Sequence, residues 1–301
     1  MSATGDAQLR ATLIGSIAVL LWALLALLTS QTRGLPPFQL LAMAFGAAFA
    51  SSLLWMLAQG LRSGDYSMLA SWRLPPSRWA LGVAGLFGYH FFYFVALGNA
   101  PVVEASLIAY LWPLLIVLFS ALLPGERLRW FHLLGTLLGL AGAVLIVAGN
   151  QGFELRAEYL PGYAAAVVCA LLWSSYSVAN RRLGGVPTAL VGGQCGVVAL
   201  LALVAHLALE ATTVPDGRQW LAALALGIGP FGLSFFCWDH GTKRGNLAVL
   251  GALSYAAPLL STLLLVAVGL AEATATLALS CGLIVGGALL ASLEMWRGRR
   301  P

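Results

Sequence analysis

The side chains able to do chemistry gather in one stretch, GYHFFYFVALGNAPVVEASLIAYLWPLL, residues 88–115. It carries Tyr89, His90, Tyr93, Tyr110 and Trp112, followed by Pro113, inside two apolar runs that almost abut. A phenol, an imidazole or an indole joins a flat apolar ring to a polar tip. What such groups offer together is recognition: ring faces for stacking and hydrogen-bond partners for a polar head. Trp22, Trp173, Ser254 and Tyr255 join them as candidates, because each falls near the middle of its own apolar run. Catalysis fits less well. His90, His132, His206 and His240 are scattered, with no nucleophile paired to a base. Cys169, Cys195, Cys237 and Cys281 each stand alone, without the paired spacing of a zinc or redox site. The chain therefore reads as a non-enzyme with no metal and no cofactor.

The elements that must hold these residues follow from composition. Of 301 residues, 60% are hydrophobic and 9% are charged, against roughly 25% charged in a soluble domain. Apolar runs recur at lengths that suit a bilayer, since about 20 residues of helix cross about 30 Å of hydrocarbon. Ten runs are expected to be membrane helices: 11–28, 38–61, 78–97, 101–123, 130–148, 161–180, 188–209, 219–239, 246–270 and 273–294. Proline and glycine clusters such as Gly34-Leu35-Pro36-Pro37 and Val214-Pro215-Asp216-Gly217 separate them. The first run lacks a small-residue cleavage site and reads as a retained helix. The net charge of +5 forms no basic stripe, so nucleic acid is not an expected partner. With both termini in the cytoplasm, 13 of the 16 Lys and Arg lie on the cytoplasmic side, leaving Arg33, Arg156 and Arg218 outside. This is the bias of the positive-inside rule.

The chain also repeats itself. Leu21-Trp22 matches Leu172-Trp173 at an offset of 151, and the same offset carries Gly34 onto Gly185 and Pro36 onto Pro187. Tyr110-Leu111-Trp112-Pro113-Leu114-Leu115 matches Tyr255-Ala256-Ala257-Pro258-Leu259-Leu260 at 145. Glu126 falls on Glu272 at 146, and Gly135 and Gly139 fall on Gly282 and Gly286 at 147. Each unit, 11–149 and 161–295, holds five spans. An odd number of spans forces the second unit to enter the membrane from the opposite side, the arrangement of alternating-access carriers. The expected fold is thus an all-α integral membrane protein of ten helices in two inverted five-helix repeats.

These repeats, with Leu-Trp in helices 1 and 6, Tyr-x-x-Pro-Leu-Leu in helices 4 and 9 and a glutamate before helices 5 and 10, resemble the drug/metabolite transporter superfamily, specifically its EamA-type members. Tyr89-His90 and Tyr110-Leu111-Trp112-Pro113 look most like its YddG-type aromatic amino acid exporters. The resemblance implies an inner-membrane carrier that exports aromatic and other neutral amino acids; a monomer is compatible with this reading, and the sequence leaves the oligomeric state open. Efflux of flat organic cations is the alternative, but a proton-coupled cation carrier would be expected to hold a carboxylate in 11–28, and there is none. The site that the resemblance points to coincides with the mid-span set Tyr89, His90, Trp112, Trp173, Ser254, Tyr110, Tyr255 and Trp22.

Pro113 and Pro258 are the expected hinges, because a mid-helix proline removes a backbone hydrogen bond and crowds the preceding turn. On an ideal helix Tyr110 and Trp112 point about 200° apart, so both reach one cavity only if the helix is distorted between them. Other charges read as structural. Glu104 suits the first turn of its helix, Asp239, His240, Lys243 and Arg244 suit a solvated cluster, and the paired glycines suit close helix contact.

Overall fold

Proline and glycine set many of the helix boundaries. Pro37 and Pro76 open two helices, where a missing N–H costs nothing. Gly64 ends the first of these at a φ of 73°, donating its N–H to the Gly60 carbonyl at 2.8 Å. Asp216 and Gln219 cap another reciprocally, each side chain accepting the other's backbone N–H at 2.8–2.9 Å. The computed structural model describes residues 3–126, 128–149 and 154–293, and no strand occurs among them. Arg127, Glu294, Arg297, Arg299 and Arg300 of the sequence reading lie outside the described residues.

Among the described residues nine helices are long and apolar enough to cross a membrane. They are α1 (Gly5–Ser30), α2 (Pro37–Ser63), α3 (Pro76–Asn99), α4 (Val102–Ser120), α5 (Trp130–Ala148), α6 (Ala157–Leu183), α7 (Leu190–Leu209), α8 (Gly217–Arg244) and α9 (Leu247–Ala267). The tenth apolar helix, α10 (Ala275–Ala291), has 17 residues. That makes it about 25 Å long at 1.5 Å per residue, at the lower limit of what crosses the hydrocarbon. Among the described residues α1 is interrupted between Trp22 and Leu25, α4 divides into α4a (Val102–Ala109) and α4b (Trp112–Ser120), and α9 divides into α9a (Leu247–Ser254) and α9b (Ala256–Ala267).

Polarity is distributed inside out. Leu13, Leu20, Leu54, Leu200, Val204, Leu207 and Leu221 are exposed, whereas Ser174, Ser177, Asp239, Thr242 and Lys243 are buried. An apolar exterior of this extent is at home only in lipid. Trp55, Trp130 and Trp220 stand exposed toward helix ends, where indoles favour the membrane–water interface.

The helices pack in antiparallel pairs. Gly15 of α1 meets Gly241 of α8 backbone to backbone, and Thr12 meets Gly245. Gly192 and Gly196 of α7 face Ser52 and Phe49 of α2; Gly85 and Gly88 of α3 face Tyr176 and Leu172 of α6. Gly135 of α5 lies against Gly287 and Ala291 of α10, and Gly142 against Ile284 and Ser280. Gly251 of α9a lies against Val117 and the Pro113 carbonyl of α4b. Of the paired glycines expected to allow close helix contact, Gly135 and Gly139 make one within the chain and Gly282 and Gly286 do not. Gly282 and Gly286 are exposed and a Cβ on either would meet nothing within 4 Å; Gly287 makes the contact. A repeat offset fixes position along a helix only to within a residue, and one residue turns a side chain by about 100°.

The α5–α10 seam has no room for a side chain at these positions. Gly287→Leu should destabilise the protein by about 1–3 kcal/mol through overpacking, whereas Gly286→Leu should be near neutral. Thermal denaturation of the detergent-solubilised variants, followed by size-exclusion recovery, checks the contrast.

Candidate functional site

A cavity of about 620 Å³ lies between α1, α2, α3, α4, α5, α6, α8 and α9, within the range of small-molecule sites. It reaches the end of the bundle that carries the α1–α2 loop, where Thr32, Arg33 and Leu35 line it. Among the described residues Arg33 is the one charged side chain on its wall.

Its floor is aromatic. Trp22, Trp112 and Trp173 lie within 5.9–6.1 Å of one another, ring centre to ring centre. Beneath them Trp238, fully buried, touches all three at 5.1–6.1 Å and donates its Nε1–H to Ser177 Oγ at 3.0 Å. One wall is α3. Tyr89 and Tyr93, one turn apart, stack at 6.0 Å with an 11° tilt, and the Tyr93 hydroxyl meets Ser106 Oγ at 3.2 Å. His90 Nδ1 lies 2.7 Å from the Leu86 carbonyl. A carbonyl only accepts, so Nδ1 carries the proton in the neutral ring and Nε2 remains an acceptor. Phe231 and Phe235 of α8 adjoin this wall, T-shaped to His90 at 5.2 and 6.3 Å.

Six of the eight sequence-derived residues line this cavity: Trp22, Tyr89, His90, Tyr110, Trp112 and Trp173. Tyr110 and Trp112 both reach it because α4 stops at Ala109 and resumes at Trp112. Pro113 has no N–H for the Ala109 carbonyl, and Pro258 none for the Ser254 carbonyl. Each helix breaks at that point. Ser254 and Tyr255 do not line the cavity. Ser254 is fully buried and its hydroxyl donates to the Leu250 carbonyl at 2.8 Å. Tyr255, also fully buried, packs on Gly139 of α5, and its hydroxyl accepts the backbone N–H of Leu114 at 3.2 Å. Span midpoints give depth in the membrane and say nothing of which way a side chain points.

The sequence reading passed over Phe231, Phe235, Phe94 and Thr262 on the wall. A signal existed for the first two. Pro230, between Gly229 and Gly232 in mid-run, opens a turn of π-helix over Gly229–Leu233, and such widened turns recur at functional sites.

Beyond the tryptophan floor the bundle is closed by a buried polar cluster. Asp239 accepts from Asn180 Nδ2 at 3.0 Å and Thr188 Oγ1 at 2.6 Å, and pairs with Lys243 Nζ at 2.8 Å. Lys243 also donates to the Val186 carbonyl at 3.0 Å. This corrects the solvated cluster expected from sequence: Asp239 is 3% and Lys243 6% exposed. The cause is the α6–α7 connection, which folds back over them, with Val186 itself buried. Arg181 adds a clasp, pairing with Glu126 at 2.5 Å and donating to the Gly245 carbonyl at 2.7 Å. At the opposite end Glu210 accepts the N–H groups of Phe38 and Gln39 at 3.0–3.1 Å and holds His206 at 2.8 Å. A carboxylate there satisfies the first donors of α2.

A helical bundle with a lipid-facing exterior and a ring-lined internal chamber sealed at one end defines a polytopic membrane carrier. The comparisons narrow the class. The EamA-like transporter family model matches residues 9–148 and again 160–293, and the chain belongs to that family. It is 53% identical to the aromatic amino acid exporter YddG of Ancylobacter novellus over 94% of this chain and 97% of that protein. It is 26% identical to the aromatic amino acid exporter YddG of Escherichia coli over 96% and 99%. A solved crystal structure 52% identical in sequence superposes with a TM-score of 0.89, covering 97% of this chain and 99% of that one.

The Asp239–Lys243 pair yields a test. Lys243→Met leaves a buried carboxylate without its cation and should cost about 3–5 kcal/mol of stability. Asp239→Asn combined with Lys243→Met should recover most of that loss, as read by thermal melting of the purified protein.

Proposed function

We propose that this chain exports aromatic and other neutral amino acids by alternating access through the chamber. The single observation that carries the reading is the pairing of a ring-stacked chamber with neutral dipoles. Trp112, Trp173 and Tyr89 offer faces for a substrate ring, each pair worth about 0.5–1.5 kcal/mol beyond area burial. His90, Tyr110 and Tyr93 offer hydrogen bonds to a zwitterionic head. The relatives named as aromatic amino acid exporters support the same cargo. Arg33, a cation on the wall, opposes cationic cargo.

The alternating-access part rests on an inverted duplication, 11–149 against 161–295, with ten helices and both termini in the cytoplasm. In support, the family model matches twice in tandem. The helix pairing is also invariant when α1–α5 are exchanged with α6–α10. Then α1–α8 becomes α6–α3, while α2–α7, α4–α9 and α5–α10 return to themselves. In this orientation the chamber opens to the outside, and the Asp239 cluster closes the cytoplasmic end. The 13 of 16 Lys and Arg assigned to that side agree with it. The α4 and α9 breaks at Pro113 and Pro258 are the natural hinges.

Counterflow into proteoliposomes loaded with phenylalanine, methionine, threonine or methyl viologen tests the function. Uptake of the neutral amino acids, independent of an imposed pH gradient, is expected; uptake of methyl viologen alone refutes the reading. Trp112→Ala and Tyr89→Ala should each cut tryptophan flux at least about tenfold, the loss of one stacking contact and its buried area. Unchanged tryptophan flux in both removes the site assignment. Pro113→Ala and Pro258→Ala should slow flux more than they weaken binding.

A further inference from the structure

Tyr255 is matched to Tyr110 by the repeat, each three residues before a helix-breaking proline, yet the two do different things. Tyr110 lines the chamber. Tyr255 is fully buried, and its hydroxyl accepts the N–H of Leu114, the residue after Pro113 in the partner helix. The N–H of a residue just past a helix break has lost its regular partner in the preceding turn, and leaving it unmet inside a membrane is costly. Tyr255 therefore fastens α9 to α4 where α4 resumes.

This bond sits on one side of a two-sided arrangement. On its side α4b and α9a are pressed together, with Gly251 against Val117 and the Pro113 carbonyl. On the other side the chamber separates the remaining halves, with Ala109 and Tyr110 on one flank and Ala257, Pro258, Ser261 and Thr262 on the other. The offset of 145 carries Tyr110 onto Tyr255, Leu114 onto Leu259 and Val117 onto Thr262. A two-fold exchange of the repeats would turn the pressed side into the open one.

We propose that Tyr255 and Tyr110 form an exchanging latch: Tyr255 holds the Leu114 N–H while the chamber opens as seen here, and Tyr110 holds the Leu259 N–H when it opens to the other side. This rests on the alternating-access reading above. When the faces exchange, the Tyr255 hydroxyl is released into the newly opened chamber and the Tyr110 hydroxyl is withdrawn from it. The latch thus keeps one matched tyrosine at the site in each state. Ser106 stands where the repeat has Gly251, so the two pressed states differ in closeness even though the latch is shared.

The test measures thiol labelling at Val117→Cys, a position fully buried in this structure, in the full-length detergent-solubilised protein, with the parent's four cysteines as background. Adding Tyr255→Phe should speed labelling about two- to tenfold, the effect of losing one hydrogen bond of ordinary strength. Tyr110→Phe should slow it by a similar factor, and the double Phe variant should return close to the starting rate. Labelling at Thr262→Cys should follow the opposite order. Phe variants that shift both positions in the same direction, or shift neither, overturn the latch. A disulfide between Val117→Cys and Gly251→Cys separates the latch from the reading beneath it. Continued tryptophan counterflow under the crosslink refutes exchange of faces and the latch with it. Counterflow that is blocked under the crosslink and restored by a reductant, combined with inert Phe variants, refutes the latch alone.

Discussion

Hydrocarbon accepts no hydrogen bond, and the architecture follows from that constraint. Polar side chains within the spans must find one another, bond back to a carbonyl of their own helix as Ser254 does, or face an enclosed space. They do so at two levels: hydroxyls and imidazole around the chamber, and the Asp239–Lys243 cluster near the sealed end. Four mutually touching indoles lie between the levels. Trp238 belongs to both, with its ring under the floor and its N–H on Ser177. A layer of this kind separates a site built for neutral rings from a pair of full charges, and it does so with side chains that are apolar across their faces.

The same constraint governs the broken backbone of α4 and α9. Irregular backbone inside a membrane is tolerated only where protein or a cavity supplies new partners. Both breaks border the chamber, and one of them is met by a phenol from the opposite helix. The breaks bring Tyr110 and Trp112 to one surface, which a continuous helix would deny them.

Much of this was legible in the sequence, for reasons that also explain what was not. Membrane spans are long and strongly apolar, so α1–α9 emerged within six residues of their observed ends. Matched prolines located the breaks, and the ring-bearing residues of α3 and α4 located the chamber wall. Depth along a helix was readable; azimuth was not. Ser254 and Tyr255 lie at chamber depth yet point away from it, and Gly286 took the place of Gly287 by a single residue. The burial of Asp239 and Lys243 depends on how the α6–α7 connection folds back, a long-range packing outcome that no local pattern encodes. Phe231 and Phe235 were missed because a proline among glycines was read as part of a span and not as a widened turn.

That widened turn over Gly229–Leu233 gives α8 two independent phases. A π turn holds one residue more than its α counterpart, so the helix below it is rotated by about 100° relative to an uninterrupted course. Phe231 lies within the step and Phe235 just past it, so the rings that border the chamber sit at the widened turn itself, while Asp239 and Lys243 follow one and two turns further along the same α segment and face the seal. One continuous element can therefore satisfy two interiors of opposite chemistry without a loop between them.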